Sequence, residues 1–280
     1  MNMTEEVIHR LVRIPGVRGV WQKYLFGSTE LRAQYDIWER PHYGYGVWES
    51  AAVAKMLGMP RISVCEFGVA TGRGLVALER IAAEVESSTG VGIDVFGFDS
   101  GRGLPPPADY RDIPHYWSAG DYQMDVAGLK SELKRAHLVL GAVEDTVPVW
   151  LQAGHSPLAF IAFDLDFYSS TKQAFRIFDG ADSTRLPRVM AYFDDLIHPP
   201  GALLNEYVGE ELAIREFNEG SRPMKICKIR GLPYIRTSWS HWHDQMYCAH
   251  DFAHPLYTAN VAPHVHRQLR RGQVVQPARL

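Results

Sequence analysis

Read from its residues, this chain is a doubly wound α/β protein: a mostly parallel seven-stranded sheet with an antiparallel terminal strand pair and an N-terminal helical appendage. The pattern has three parts. Short apolar runs alternate with amphipathic helical stretches, which implies parallel strands with helices on both faces. Successive runs end in glycine or in acids, which gathers those residues at the carboxyl edge of the sheet, where ligands bind. The last two runs, MKICKIRG and DQMYCAHDF, alternate like paired edge strands.

Residues 1–42 are rich in aromatics and charge and form the appendage. YGVWESAAVAKMLGM carries apolar residues at helical spacing and stops at Gly58 and Pro60. RISVCEF, from Arg61 to Phe67, is the first strand, followed by a glycine turn and the helix GLVALERIAAEVESS. VGIDVFGFDS is a second buried strand ending at Asp99. The breaker-rich loop GRGLPPPADYRDIPHYWSAGDYQMD after it is long enough to serve as a lid or substrate wall. LKSELKRAHLVLGAVEDT reads as helix, strand and turn, LAFIAFDLD and RVMAYFDD as central strands covered on both faces, and GEELAIREFNE as a helix. The α/β domain therefore spans 43–258, and a polar tail, expected to be disordered, occupies 259–280.

With 280 residues, 46% of them hydrophobic, one large core is enough to account for the chain. A net charge of −3 and a pI near 6.5, with Lys and Arg spread along the chain, give no electrostatic footprint for nucleic acid or an anionic membrane. The expected partner is a small-molecule acceptor, and a homo-oligomer is left open. Cys65, Cys227 and Cys248 are far apart and odd in number, which fits a reducing compartment better than a disulfide framework. The stretch MNMTEEVIHRLVRIPGV lacks the apolar core of a signal peptide and no run approaches a membrane span, so the expected location is the cytoplasm.

Four motifs carry chemistry. In CEFGVATGRG, Gly68, Gly72 and Gly74 let the backbone turn sharply and approach a ligand, and the following helix offers unpaired N–H groups. The spacing is neither a P-loop nor GxGxxG, and Glu66 just before the turn would repel a pyrophosphate but attract an ammonium or sulfonium. In GFDS, Asp99 is placed to accept two hydrogen bonds from ribose hydroxyls, or to cap its turn. In GAVEDT, Glu144 or a neighbouring N–H is placed to read an adenine, or the acid is an ordinary helix cap. FDLDFYSST and YFDDL bring Asp164, Asp194 and Asp195 from adjacent strand ends; converging carboxylates with open water positions suit Mg²⁺, and strand-end capping is the alternative.

EFGVATGRG, GFDSGRGLP, GAVEDTVP, FDLDFYSSTKQA and YFDDL together resemble, in order and rough spacing, the macrocin O-methyltransferase-like family of class I S-adenosylmethionine-dependent enzymes, over about residues 44–220. The resemblance implies a Rossmann-like methyltransferase sheet over the α/β domain and S-adenosylmethionine at Glu66, Gly68, Gly72, Asp99 and Glu144, with Ala70, Gly74, Ser100, Val143 and Asp164 on the same wall. It also implies Mg²⁺ or another divalent cation at Asp164, Asp194 and Asp195. Ser100, Gly101 and Arg102 depart from the aromatic or acidic residues that many members carry there. Phe167 stands where catechol-type relatives have a lysine, so a lysine base is not supported at that position.

The activity so implied is methyl transfer to a hydroxyl of a sugar or natural product. Asp166 or His198 is placed to take the proton; Asp166 shares its strand side with Asp164, and His198 follows the aspartate doublet. Tyr43, Tyr45, Trp48, Tyr116 and Trp117 either wall an acceptor pocket or pack a lid. His241, His243, His250 and His254 match no zinc spacing. Two other functions use the same fold: an NAD-dependent oxidoreductase, which has no need of Asp194 beside Asp195, and a non-catalytic S-adenosylmethionine-binding module.

Overall fold

The structure, a computed structural model, describes residues 3–261, so most of the tail assigned to 259–280 lies outside the described residues. The apolar runs fold as β1 (Arg61–Phe67), β2 (Gly92–Asp99), β3 (His137–Leu140), β4 (Leu158–Phe163), β5 (Arg185–Phe193), β6 (Met224–Lys228) and β7 (Met246–Asp251). They form one sheet in the order β3-β2-β1-β4-β5-β7-β6. The first five strands are parallel, β7 runs antiparallel to β5, and β6 antiparallel to β7. The terminal pair is thus turned so that β7 inserts beside β5 and β6 becomes the edge.

The helices are α1 (Met3–Leu11), α2 (Val17–Tyr24), α3 (Thr29–Gln34), α4 (Pro41–Met56), α5 (Arg73–Thr89), α6 (Val126–Glu132), α7 (Val143–Gln152), α8 (Tyr168–Ala174), α9 (Gly209–Glu219) and α10 (Leu232–Ile235). One boundary differs from expectation. The stretch read as a turn after β3 opens α7, with Glu144 and Asp145 in its first turn, where acids complement the helix dipole. Val12, Trp21, Tyr35 and Ile37 form a small core of their own at the N-terminal end of the chain.

Both faces of the sheet are covered. One face packs Val64, Val95, Ala162 and Tyr192 against Tyr43, Val47 and Ala51 of α4 and Leu75, Leu78 and Ala82 of α5. The other packs Phe98, Phe67, Phe163 and Phe193 against Val147, Trp150, Phe175 and Leu212. Those four phenylalanines come from β2, β1, β4 and β5, stand in register across the sheet, and stack in a row with ring centroids 4.5, 5.6 and 4.8 Å apart and planes within 13° of parallel. Each one is followed at once by a residue of the carboxyl edge: Gly68, Asp99, Asp164 or Asp194. Because side chains alternate faces along a strand, burying this row fixes the height at which the four edge residues emerge.

Gly68 sits where β1 leaves the sheet, with φ +83°; a Cβ there would come within 1.6 Å of the Asp164 carbonyl oxygen. Its glycine is therefore required by the neighbouring strand end, not only by an incoming ligand as the sequence reading supposed. Gly68→Ala should cost more than about 3 kcal/mol in urea unfolding, as overpacking adds to the strain. Gly58→Ala, at φ +72° with nothing within 4 Å, should cost only the left-handed strain of about 1–2 kcal/mol. Equal losses would contradict this account.

Candidate active site

A cleft of about 690 Å³ opens at the carboxyl edge where the strand order reverses between β1 and β4, the place and size expected of a small-molecule site. One end is lined by Gly68, Ala70, Thr71, Asp99 and Ser100 and by Gly141 to Glu144 at the start of α7; the other by Asp164, Asp166, Asp194, Asp195 and His198. The long loop after β2 supplies a side wall through Arg102, Leu104, Pro105, Pro106 and Tyr122. That wall is anchored. The Gly120 N–H donates to the Leu104 carbonyl and the Leu104 N–H to the Asp121 carbonyl, both at 2.8 Å, and buried Asp112 accepts from the N–H and hydroxyl of Ser169, both at 2.8 Å.

At the glycine-turn end, Asp99 accepts from the N–H groups of Val69 and Ala70 at 2.9 Å each and of Gly101 at 2.6 Å. Of the roughly four lone-pair positions on a carboxylate, three are thus engaged. Asp99 is a turn cap and a cleft wall together, with room for one further hydroxyl rather than the two anticipated. α7 begins without a side-chain cap at Ala142, so its first-turn N–H groups are available to a ligand beside Val143 and Glu144.

Three residues assigned to this end do not reach the cleft. Glu66 is 1% exposed and turned toward α4, because Phe67 beside it takes the opposite face; the Tyr43 hydroxyl donates to its Oε1 at 2.6 Å, and its Oε2 is buried without a partner. Gly74 makes the space for that carboxyl, since a Cβ there would lie 1.8 Å from Glu66 Oε1. Gly72 caps α5 and abuts Leu129. Burial pushes the Glu66 carboxyl up to about 7, against the pull of Tyr43 and Arg40.

At the acid end, carboxylate oxygens of Asp164, Asp194 and Asp195 lie within 4.8 Å of one another, and a second group joins Asp166, Asp195 and His198 within the same distance. Burial, then mutual repulsion, raises Asp164 well above the carboxylate range and Asp166 to about 9; Asp194 is also raised, although the Tyr192 hydrogen bond opposes this. Asp194 and Asp195 are held in place. The Tyr192 hydroxyl donates to Asp194 Oδ1 at 2.6 Å and Gln245 Nε2 to the Asp194 carbonyl at 2.6 Å. Asp195 accepts the Asp166 N–H on Oδ2 at 2.7 Å, lies 2.7 Å from His198 Nε2 through Oδ1, and donates its own N–H to buried Glu210 at 3.0 Å.

The chain answers these anions with Arg40, at the start of α4. Burial works against its charge, but Tyr43, Glu66, Asp164 and Asp194 outweigh that and hold it more firmly protonated than usual. His198 is likewise raised, first by its bond to Asp195. Three clustered carboxylate oxygens are the donor chemistry of a hard divalent cation, so the residues fit such an ion.

The structure thus brings Gly68, Ala70, Asp99, Ser100, Val143, Glu144, Asp164, Asp166, Asp194, Asp195 and His198 to one cleft. The aromatics divide differently from expectation: Tyr43 is fully buried against Glu66, Tyr45 and Trp48 pack on the core, and Tyr116 and Trp117 lean on His198. Tyr122, not singled out in the sequence, lines the cleft at φ +63° and stacks edge-on against Trp117 at 5.8 Å. The parts played by Arg40, Tyr192, Glu210 and Gln245 were also missed; the place of Tyr192 at the head of YFDDL was the single local signal.

No protein-family model matches the chain, and no curated protein matches it. Among solved structures, the calicheamicin methyltransferase CalS11 is 22% identical, with 77% of this chain and 82% of that chain covered and a TM-score of 0.47. The plantazolicin methyltransferase BpumL, in complex with a pentazolic desmethylPZN analog and SAH, is 10% identical, with 88% and 96% covered and a TM-score of 0.38. Likenesses of this degree carry no inference about chemistry.

The buried Glu66 carboxyl has a consequence for stability. Its folded-state proton affinity exceeds the ordinary value of 4.5 and reaches about 7, so the folded chain holds a proton that the unfolded chain releases, and folding loses stability as pH rises through that window. Glu66→Gln should gain on the unchanged chain between these values, by on the order of 3 kcal/mol at most, and hold the gain above neutral pH. Denaturant unfolding across pH reads this directly; a gap that stays constant would refute it.

Proposed function

We propose that the chain is an S-adenosylmethionine-dependent methyltransferase that carries a methyl group to a hydroxyl of a small molecule, with a divalent cation such as Mg²⁺ at Asp164, Asp194 and Asp195. The observation that carries this reading is one continuous cleft with a turn-and-carboxylate wall at one end and a cluster of oxygen ligands at the other. A nucleoside fits the first end, where Asp99 has a lone pair to spare for a ribose hydroxyl and the start of α7 offers N–H groups to a base. The crowded acids of the other end suit cationic guests, the sulfonium and the metal ion.

Methyl transfer from a sulfonium needs alignment of an oxygen nucleophile and exclusion of water more than covalent help. Leu104, Pro105, Pro106 and Tyr122 supply an apolar wall over the acids. A divalent cation at the three aspartates would polarise the acceptor hydroxyl as a Lewis acid. We assign the proton's acceptor to His198 or, once its own proton is displaced, to Asp166. His198 Nε2 lies 2.7 Å from Asp195 Oδ1; with the proton of the neutral ring on that nitrogen, Nδ1 would be the base. A sugar or natural-product hydroxyl is the acceptor that the sequence resemblance favours, and we assign the fold's α/β domain, 43–258, as the unit that binds donor and acceptor.

S-adenosylhomocysteine at a hundredfold excess over its dissociation constant should raise the melting temperature by on the order of 5 °C, while NAD should not; the reverse would make the chain an oxidoreductase. Calorimetry should show Mg²⁺ binding to the unchanged protein, a loss of about tenfold or more for Asp164→Asn and Asp194→Asn, and S-adenosylhomocysteine affinity within about threefold in both. Undiminished Mg²⁺ affinity in the two variants would remove the metal from this reading.

A further inference from the structure

Outside the lining of the cleft, the two terminal strands set two thiols opposite each other. The register of β6 on β7 pairs Cys227 with Cys248. Two residues along, the Ile229 N–H donates to the Met246 carbonyl at 2.9 Å. Hydrogen-bonded pairs recur at every second step of an antiparallel ladder, so the two cysteines also form a hydrogen-bonded pair. Their Cα atoms then stand about 5.5 Å apart, within the span of about 4.4–6.8 Å that a disulfide bridges. Directly opposed residues share a face of the sheet.

The two thiols are free and differ in access: Cys227 is exposed on the edge strand, whereas Cys248 is 5% exposed between β5 and β6. Cys65, the third cysteine, lies fully buried on β1, with β4 and β5 between it and β7. It cannot compete for either partner.

We propose that Cys227 and Cys248 are a thiol modification site that closes reversibly into a cross-strand disulfide at the expense of a low-molecular-weight disulfide such as oxidised glutathione. The exposed Cys227 thiolate attacks one glutathione sulfur, breaking that S–S bond and releasing one glutathione thiolate, which takes up the proton Cys227 gave up. Cys248 then loses its proton and attacks the Cys227 sulfur, and the second glutathione leaves as a thiol. Two protein thiols are oxidised and one glutathione disulfide is reduced to two thiols. Burial pushes the Cys248 thiol up to about 12, which makes the second step the slow one.

The closed bond is labile for a geometric reason. Opposed Cβ atoms in a sheet lie about 4.5–5.5 Å apart, at the wide end in hydrogen-bonded pairs, whereas a disulfide draws them to about 3.5–4.5 Å. β6 has β7 as its one neighbour and can be drawn in, while β7 is held on both sides. A bridge closed against that spacing returns to thiols more readily than an unstrained one.

The test incubates the full chain with oxidised glutathione, quenches with acid, blocks remaining thiols and maps the peptides by mass spectrometry. A linked pair of peptides containing Cys227 and Cys248 is expected, with two of the three thiols lost and recovered on adding dithiothreitol. Cys248→Ser, or Cys248→Ala if the first fails to fold, should stop at a glutathione adduct on Cys227; Cys65→Ser should behave like the unchanged chain. If the unchanged chain also stops at the Cys227 adduct, or links only between two chains, the pair does not close within one chain and the proposal is overturned.

Discussion

The row of stacked phenylalanines across β2, β1, β4 and β5 is the constraint on which the cleft depends. Phe98, Phe67, Phe163 and Phe193 are each at most 0% exposed, and burying an aromatic side chain of this size is worth several kcal/mol. Because the four rings sit at one level, the backbone of four strands is brought to a common height at the last residue of β1, β4 and β5 and the last but one of β2. Asp164 and Asp194 therefore emerge side by side, and Asp99 on the far side of Gly68, without any of them contributing to the packing that puts them there. The repulsion between Asp164 and Asp194 is a cost carried by the ring stack and by the hydrogen bonds from Tyr192 and Gln245, while the Val69, Ala70 and Gly101 amides hold Asp99.

The electrostatics have two layers. In front are the carboxylates that face the cleft; behind them, on the α4 side, sit Glu66, Tyr43 and Arg40, which no ligand in the cleft touches. Arg40 feels Glu66, Asp164 and Asp194 at once, so the rear layer offsets part of the negative charge of the front one. Burial and crowding make Asp164 and Asp166 hold protons more tightly than ordinary carboxyls, and Arg40 behind them offsets part of the charge that remains.

Most of the strand plan was legible because β1, β2, β4 and β5 are buried on both faces and read as apolar runs with abrupt acidic or glycine ends. The α7 boundary was not, since Gly141 is as good a turn former as the acids after it are helix starters. The convergence of Asp164, Asp194 and Asp195 could be anticipated from parallel neighbouring strands. The side that Glu66 takes could not: a residue next to a glycine turn faces the cleft or the core according to a strand alternation whose phase is set by Phe67 and its three partners. Arg40, Tyr43 and Glu210 join the acids only through tertiary packing, across separations such as the 23 residues between Tyr43 and Glu66, and leave no local trace. The strained Tyr122 was hidden in a loop whose composition showed its length and little else.

The alternation that hides Glu66 also separates two kinds of change. At each of the four strand ends, the letter that holds the sheet together and the letter that meets a guest are neighbours in sequence but face different surroundings. Evolution can therefore rewrite what such a cleft accepts by altering the positions after the Phe163 and Phe193 rings, whereas Gly68 and Asp99 are tied into their turns and loss of one ring would displace several edge residues together.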